Sequence, residues 1–354
     1  MTAERSRNTF DQAMRLCAGT AKGIVIIDSE RNGRPLMALA DPPSVWCMAR
    51  DDGDPNLLFA GAVHNALAGS ARGRAALARS TDGGRSWTDI TPGAARDEEV
   101  WSVAAAPGRS GTVYIGTSRG RLFRSENAGA SFRECAAPRH PAPRGRSAAA
   151  SSRASIRAIR FSPRDSSVIH VALEAGGVFR STDGARSFES LNLPVAEEVH
   201  DLAIDPEDPS RLIVATGAGV YFSATAGASW SRAAGLTRAW AIALLFAGAG
   251  SGRSIFGSAA ATPPPLWAMG PAGADAKIFR SFDSGRTFAP LVHAAAAAHP
   301  GRGAVMRFAA NPDEPNDIFG AVSDGSIVRI DAASGAVRLI ADRLPPVYDI
   351  LVIH

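Results

Sequence analysis

One octapeptide recurs five times in this chain, at residues 80–87, 125–132, 181–188, 223–230 and 281–288. The copies read STDGGRSW, SENAGASF, STDGARSF, SATAGASW and SFDSGRTF, which share the pattern Ser-x-Asp-x-Gly-x-Ser/Thr-aromatic. Self-similarity of this kind marks a supersecondary unit that packs against further copies of itself. The chain is therefore expected to be a repeat protein with one continuous architecture.

The octapeptide itself is predicted to be a tight turn. A carboxylate at its third position can accept hydrogen bonds from nearby backbone N–H groups, and a following glycine supplies a positive φ. The third copy departs from the pattern, with Ala185 at the glycine position and Gly184 one residue earlier. The predicted structural acceptors are Asp82, Asn127, Asp183, Thr225 and Asp283. The turns with asparagine and threonine at this position are expected to be held less firmly.

Each octapeptide follows two short apolar segments. A further apolar segment opens each unit, and a turn-rich peptide connects it to the first of these two segments. Four strands in a unit of about 40–45 residues are typical of the blade of a β-propeller. Seven opening strands are visible, but the last, near Val347, has only seven residues after it. Residues 14–40 in turn read as three strands without an opening strand.

Joining these two incomplete pieces gives a seventh blade and a ring without an open sheet edge. We therefore expect an all-β, seven-bladed β-propeller, in one domain spanning 1–354. Six blades are the alternative. The predicted blades span residues 45–91, 100–136, 155–192, 198–234, 238–291, 303–342, and 346–354 together with 14–40.

Two long connections interrupt the repeat, at 136–155 and 257–276. Both are rich in proline, and both are predicted to be loops. Long structureless segments are uncommon inside compact domains and often serve function. A functional loop and a plain insertion are both retained as interpretations.

The repeated octapeptides resemble those of the BNR/Asp-box propellers, a superfamily that includes sialidases, sortilin-type receptors, xyloglucan hydrolases and a photosystem II assembly factor. With TAKGIVIID at 20–28 and VHNA at 63–66, the chain looks most like bacterial proteins described as glycosyl hydrolase or exo-sialidase repeat proteins. The resemblance implies that the boxes are structural hairpins on the face opposite the ligand site. It therefore implies a fold and not an activity.

The resemblance also allows two activities to be weighed. Sialidases use a tyrosine nucleophile, an arginine triad and an Arg-Ile/Leu-Pro motif before the first box. Here Tyr114 and Tyr221 lie in repeat strands, and the single Arg-Leu-Pro sequence, 343–345, follows the last box. Xyloglucan hydrolases place their site between two propellers, and only one is expected here. Sialidase activity is therefore not expected, and the likeness to xyloglucan hydrolases is weakened.

Propeller sites usually form at the funnel, where the opening strands begin and the loops between second and third strands lie. The aligned position of the opening strands is rich in aromatic side chains, which suit either a ligand platform or packing between blades. The predicted ligand-binding residues are Lys22, Trp46, His64, Asn65, Trp101, Arg119, Trp240 and Tyr348.

Three further residues at the funnel are candidates for catalysis. Glu174 follows a predicted strand, and Arg157 of the same blade could pair with it or bind a substrate carboxylate in bidentate fashion. His200 stands beside Asp201 and would suit a general base, although neighbouring strand residues face opposite sides. A metal shared by His64, His200 and Glu174 has no support from ligand spacing, so no metal and no cofactor are predicted.

Charge and cysteine content exclude several classes of function. The formal net charge is +4 with a pI of about 9.3, but the arginines are scattered, so nucleic-acid binding is not expected. Cys17, Cys47 and Cys135 form neither a disulfide framework nor a zinc spacing. The first seventeen residues lack the apolar core of a signal peptide. The longest apolar run, 241–250, is too short for a membrane span.

We therefore expect a cytoplasmic, monomeric protein that does not bind membranes. The favoured function is binding of a small anionic or carbohydrate-like ligand, or of a protein partner, at the funnel. A hydrolase or lyase using Glu174, His200 and Arg157 is the first alternative, and an assembly scaffold is the second.

Overall fold

The computed structural model describes residues 14–28, 35–39, 44–63, 76–138, 155–194, 198–236, 240–248, 254–260, 277–291 and 303–353. They form seven antiparallel sheets of four strands each. One turn of 3-10 helix, Gly93–Ala95, is the only helical element within these ranges. The architecture is the expected seven-bladed propeller, and the six-bladed alternative is wrong.

Blade seven contributes the first three strands of the chain, β1 (Arg15–Thr20), β2 (Gly23–Asp28) and β3 (Pro35–Leu39). Blade one contains β4 (Val45–Arg50), β5 (Leu58–Ala62), β6 (Leu77–Ser80) and β7 (Thr88–Asp89). Blade two contains β8 (Val100–Ala105), β9 (Val113–Thr117), β10 (Leu122–Ser125) and β11 (Arg133–Glu134). Blade three contains β12 (Ile156–Phe161), β13 (Ile169–Leu173), β14 (Gly177–Ser181) and β15 (Glu189–Ser190).

Blade four contains β16 (Val199–Ile204), β17 (Leu212–Thr216), β18 (Gly219–Ser223) and β19 (Ser231–Arg232). Blade five contains β20 (Trp240–Ala247), β21 (Ser254–Ala260), β22 (Lys277–Ser281) and β23 (Ala289–Pro290). Blade six contains β24 (Val305–Ala310), β25 (Asp317–Val322), β26 (Ile327–Asp331) and β27 (Val337–Ala341). The last strand, β28 (Val347–Ile353), is the inner strand of blade seven.

Blade seven closes the ring with strands from both ends of the chain. Its sheet has the order β28-β1-β2-β3, and β28 pairs antiparallel with β1, with Leu16 opposite Val352 and Ala18 opposite Ile350. The closure predicted from the two incomplete pieces is confirmed. The inner strand of blade seven, β28, thus lies beside β4, the inner strand of blade one.

The hydrophobic core lies between neighbouring sheets. The second strand of a blade is buried on both faces; in β5, for example, all five residues are buried. Phe59 of blade one packs with Val100 and Ile115 of blade two in one buried cluster. Burying such a side chain contributes roughly 1.5–3 kcal/mol to the free energy of folding. Because the second strands are buried on both faces, their apolar residues need not alternate with polar ones.

The octapeptides form hairpins between the third and fourth strands of blades one to five. In blade one, the Asp82 carboxylate accepts hydrogen bonds from the Ser80 hydroxyl (2.7 Å), the Ser86 backbone N–H (2.9 Å) and the Ser86 hydroxyl (2.5 Å). Because strands alternate in direction, these hairpins lie at the face opposite the start of the inner strands. They are structural elements and do not line the funnel.

Hydrogen bonding within the box holds its carboxylate ionised. In blade three, donation by the Ser187 hydroxyl, followed by the Ser187 N–H and the Ser181 hydroxyl, lowers the pKa of Asp183 well below its usual range. Asn127 makes the same set of contacts, with its Nδ2 donating to the Ser131 hydroxyl at 2.9 Å. Thr225 offers one oxygen in place of two.

A β-bulge near the start of each inner strand shapes the funnel. The register of every inner strand skips one residue, which leaves that residue outside the ladder. Bulges re-aim side chains in this way. The skipped residues are Trp46, Trp101, Arg157, His200, Ile242, Met306 and Tyr348. The aligned position predicted in blade five was Trp240, so the structure corrects that alignment by two residues to Ile242.

Candidate functional site

The bulged residues of blades seven, one, two and three form a continuous arc at the funnel, which we call the aromatic arc (Tyr348, Trp46, Trp101 and Arg157). The rings of Tyr348 and Trp46 stack with centroids 4.1 Å apart and planes at 18°. Trp46 and Trp101 are tilted by 60° at 5.3 Å. The guanidinium of Arg157 lies over the Trp101 ring at 4.2 Å, a cation–π contact.

Hydrogen bonds to neighbouring side chains orient the two indole rings of the arc. Trp46 Nε1 donates to the Ser44 hydroxyl at 2.8 Å, and Trp101 Nε1 donates to Glu99 Oε2 at 3.1 Å. Both indoles remain half-buried, whereas Tyr348 is 8% exposed. The aromatic arc is therefore consistent with both interpretations of the sequence, because the rings pack between blades and the two indoles also remain partly exposed.

Arg157 is the cation of the arc, and its charge is poorly compensated. Within the described residues its side chain makes no hydrogen bond and no ion pair, and it contacts the Trp101 ring. Burial lowers the pKa of Arg157, and the negative charges of Glu174 and Glu198 oppose that shift. A guanidinium can donate two parallel N–H bonds, a geometry that suits a carboxylate or another planar anion.

His200 has a fixed tautomer. Its Nδ1 lies 2.6 Å from the carbonyl oxygen of Ala241, so Nδ1 carries the proton and donates. Nε2 has no hydrogen-bond partner within the described residues and lies 3.7 Å from Glu198 Oε2. The imidazole also packs against Trp240, with centroids 4.6 Å apart. The carboxylate that faces His200 is therefore Glu198.

Asp201 does not orient His200. It belongs instead to a buried group of four charges in the central channel, which we call the channel network (Arg160, Asp201, Arg307 and Asp349). Asp201 Oδ1 lies 2.6 Å from Arg160 Nη2 and 3.0 Å from Arg307 Nη1. Arg307 Nε also lies 3.6 Å from Asp349 Oδ1. These residues come from blades three, four, six and seven, so the network crosses the channel.

Each aspartate of the network also holds the next blade. Asp201 Oδ2 accepts from Leu244 N–H of blade five at 3.1 Å, and Asp349 Oδ2 accepts from Met48 N–H of blade one at 2.6 Å. Burial opposes ionisation of both carboxyls, but two arginines bond Asp201 and its pKa is lowered. Asp349 has only the longer contact with Arg307, and burial raises its pKa. Two cations balance two anions in this network.

Sequence reasoning missed the channel network. The sequence pattern that could have predicted this network is at the residue that follows the bulge in each inner strand. Most blades carry a small or apolar side chain at this position. Blades four, six and seven carry Asp201, Arg307 and Asp349 at this position. Opposite charges at one repeat position of a closed ring are the observation that would have predicted contacts across the channel.

The remaining predicted residues are not part of the arc. Lys22 is exposed in the turn between β1 and β2, and Arg119 is exposed in the turn between β9 and β10. Glu174 is half-buried immediately after β13. His64 and Asn65 lie outside the described residues, as do 139–154 and 261–276 of the two long connections. In the described ranges, no group of three or more metal-ligating side chains occurs.

A cavity of about 510 Å³ lies away from the funnel, between the outer strands of blades one and two. Its lining includes Phe123 and Phe132 together with Asp89 and Glu134. These carboxylates are engaged by Arg96 and Arg121, respectively. The carboxylates of this cavity are paired, whereas Arg157 at the funnel has no ion pair within the described residues, so the funnel is the better candidate site.

Neither a protein-family model nor a curated protein matches the sequence. Solved structures do match the fold. The GH74 enzyme of Niastella koreensis is 18% identical with a TM-score of 0.67, over 95% of this chain and 53% of that chain. The GH74 xyloglucanase from Xanthomonas campestris is 16% identical with a TM-score of 0.65, over 93% and 52%. YCF48 bound to D1 peptide is 13% identical with a TM-score of 0.61, over 90% and 95%.

These similarities establish a propeller fold shared with hydrolases and with a peptide-binding protein. The chain spans about half the length of the GH74 enzymes and nearly the whole length of the YCF48 chain. In the described residues, no helix has the length and hydrophobicity needed to cross a bilayer. The three cysteines are free and buried.

Proposed function

We propose that this protein is a binding protein of the BNR/Asp-box propeller type, whose funnel takes a small anionic or carbohydrate-like ligand. Arg157 binds an acidic group of the ligand, and Trp46 and Trp101 provide the apolar surface beside it. The observation that carries the proposal is the Arg157 guanidinium, which lies on Trp101 and has no polar partner within the described residues. The five Asp-box hairpins support the type.

The energetic argument is the cost of an uncompensated charge. Removing a guanidinium from water is expensive unless hydrogen bonds and an opposite charge repay the cost. Arg157 is partly removed from water, and the Trp101 ring repays only about 0.5–2 kcal/mol. A ligand carboxylate accepting two parallel N–H bonds supplies the missing partner. The charge of the channel network is balanced internally and therefore does not compete for the ligand.

A hydrolase or lyase in the same funnel is the first alternative. It would use Glu174, His200 and Arg157 together. His200 Nε2 faces Glu198 at 3.7 Å, and within the described residues no contact joins Glu174 to His200. The geometry therefore favours binding over acid–base chemistry by this pair.

A protein partner is the second alternative, and one specific comparison favours it. YCF48, which matches over 95% of its own length, is bound to a peptide. A scaffold would engage a peptide at the same funnel or elsewhere on the ring. We further propose a cytoplasmic location and a monomer, and the free thiols are compatible with a reducing compartment.

The test is thermal-shift screening against carboxylates, sugars, sugar acids and phosphorylated metabolites, because a ligand of the native state raises the melting temperature. A hit should be lost in Arg157→Met and retained in Arg338→Met, which removes an exposed arginine of the outer strand of blade six. Equal shifts in both variants would place the ligand away from the funnel. The absence of any shift would favour the scaffold.

A further inference from the structure

Two opposite charges at the funnel lie near each other without touching. The Glu174 carboxylate makes no hydrogen bond and no ion pair within the described residues, and the same is true of the Arg157 guanidinium. Their backbones are neighbours, because Ile156 pairs with Leu173 and the Glu174 N–H donates to the Ser155 carbonyl oxygen. The charge of Glu174 also favours the ionised form of Arg157, although no ion pair joins the two side chains within the described residues.

The positions of the two residues are set by different contacts. Arg157 is the bulged residue of β12, and its guanidinium lies over the Trp101 ring of blade two. The backbone of Glu174 is fixed on both sides, because its N–H donates to the Ser155 carbonyl oxygen and its own carbonyl oxygen accepts from the Val199 N–H, each near 3 Å. The guanidinium thus lies toward blade two, while the Glu174 backbone is anchored between blades three and four.

This arrangement selects for ligand charge. A dianion at Arg157 would be repelled by Glu174 and by Glu198, both of which act on the same guanidinium. A simple cation at Glu174 would be repelled by Arg157. A molecule that carries one negative and one positive group satisfies both residues and adds no net charge to a partly desolvated site.

Resting on the function proposed above, we infer that the ligand is a zwitterion with the chemistry of an α-amino acid. Its carboxylate bonds Arg157 and its ammonium group bonds Glu174. Its side chain lies along the exposed edges of Trp101 and Trp46, which favours an apolar or aromatic side chain. Asp201, Arg307 and Asp349 of the channel network follow the bulged residues along the inner strands, and with Arg160 the network contains two cations and two anions.

The inference is tested by isothermal titration calorimetry with the proteinogenic L-amino acids. The tightest binder is then compared with its N-acetyl derivative, which lacks the ammonium charge, and with its amide, which lacks the carboxylate. Both derivatives should bind about tenfold to a hundredfold more weakly, the usual effect of losing a hydrogen bond to a charged partner. An apolar or aromatic amino acid should be the tightest binder.

Glu174→Gln is the decisive variant, because it removes the charge and keeps the backbone contacts. It should weaken binding of the amino acid to the level of the N-acetyl derivative and leave binding of that derivative unchanged. If the variant no longer distinguishes the amino acid from its N-acetyl derivative, the Glu174 carboxylate and the ligand ammonium group interact directly. Thermal unfolding of the free variant should match the parent protein, which separates this effect from a structural role.

The outcomes distinguish this inference from the function on which it rests. If the N-acetyl derivative binds as well as the amino acid, or Glu174→Gln changes nothing, the zwitterion is wrong while the anion site stands. If no amino acid binds but simple carboxylates do, the same conclusion holds. If carboxylates also fail, or if Arg157→Met binds normally, the proposed function itself is wrong.

Discussion

Arg307 of blade six bonds Asp201 of blade four across the central channel, with 3.0 Å between Nη1 and Oδ1. The same side chain lies near Asp349 of blade seven. Arg307 is thus the one member of the channel network that contacts both aspartates. Desolvation lowers the pKa of Arg307, but the negative charges of Asp201 and Asp349 outweigh it, so that the pKa is raised.

Arg307→Met should be strongly destabilising. The substitution leaves two buried carboxylates with one remaining arginine, and breaking a buried pair in this way typically costs about 3–5 kcal/mol. The free energy of unfolding from urea titration measures the effect. Arg338→Met, at an exposed position of β27, is the matched control and should change stability by less than about 0.5 kcal/mol. Equal effects of the two variants would mean that the network contributes nothing specific.

His170 should make stability depend on pH. It is 2% exposed in β13, neither ring nitrogen has a hydrogen-bond partner within the described residues, and burial lowers its pKa from 6.5 to about 4. The neutral ring is favoured in the native state, so this stabilisation is complete above pH 6.5 and is lost as pH falls to about 4. The difference corresponds to about 3 kcal/mol.

Replacing the ring removes this dependence. The unfolding free energy of His170→Leu, measured from pH 7 to pH 4, should fall less steeply with decreasing pH than that of the parent protein. The difference in slope should correspond to the uptake of up to one proton on unfolding. Parallel curves for the two proteins would show that His170 does not titrate in this range. The comparison of slopes is independent of any constant cost of the substitution.

Two opposite substitutions at equivalent positions of the box hairpins, Ala128→Gly and Gly83→Ala, test the cost of their left-handed backbone conformation. The residue before the box glycine is left-handed in every copy, with φ of +69° at Gly83 and +54° at Ala128. An L side chain in this region costs about 1–2 kcal/mol, partly offset by the entropy of glycine in the unfolded chain. Ala128→Gly should therefore raise stability by about 0.5–1 kcal/mol, and Gly83→Ala should lower it by a similar amount. Changes of the same sign in both variants, in thermal unfolding, would contradict this account.

Close approach of neighbouring blades fixes one glycine of β9. A Cβ at Gly116 would lie 2.5 Å from Ile156 of blade three and 2.5 Å from the Ser102 hydroxyl. Gly116→Ala should destabilise by about 1–3 kcal/mol, as expected for overpacking. Gly93→Ala is the control, because a Cβ there meets nothing within 4 Å. Differential scanning calorimetry of both variants would show whether blade spacing is as tight as these distances imply.

The fold could be predicted from the sequence because the repeat sets both the strands and their order. The box hairpins recur at fixed positions before and after short apolar strands, and the missing strand at one end matches the extra strand at the other. Trp46, Trp101 and Arg157 could be placed at the funnel for the same reason. The alignment of blade five was wrong because β20 begins early, at Trp240, and the aromatic residue there resembled the bulged tryptophans.

The chemistry of the site was harder to predict, because it depends on contacts between blades that are distant in the chain. Asp201 was considered as a partner of His200, its sequence neighbour, yet Arg307 is its partner in the structure. Likewise, Glu198 rather than Glu174 faces His200. Sequence proximity is a poor guide in a propeller, since side chains next to each other at the axis come from different repeats.

The sheet of blade seven has a kinetic consequence. Strand β1 pairs with β28 along six residues, so its inner edge has no partner until β28 has been synthesised. Contacts of such long sequence separation are slow to form. On the ribosome, the earlier blades can associate first while β1 waits with an exposed edge, and completion of the ring is a late step of folding. Chains released early would carry that open edge into solution, where pairing with another chain is the principal hazard.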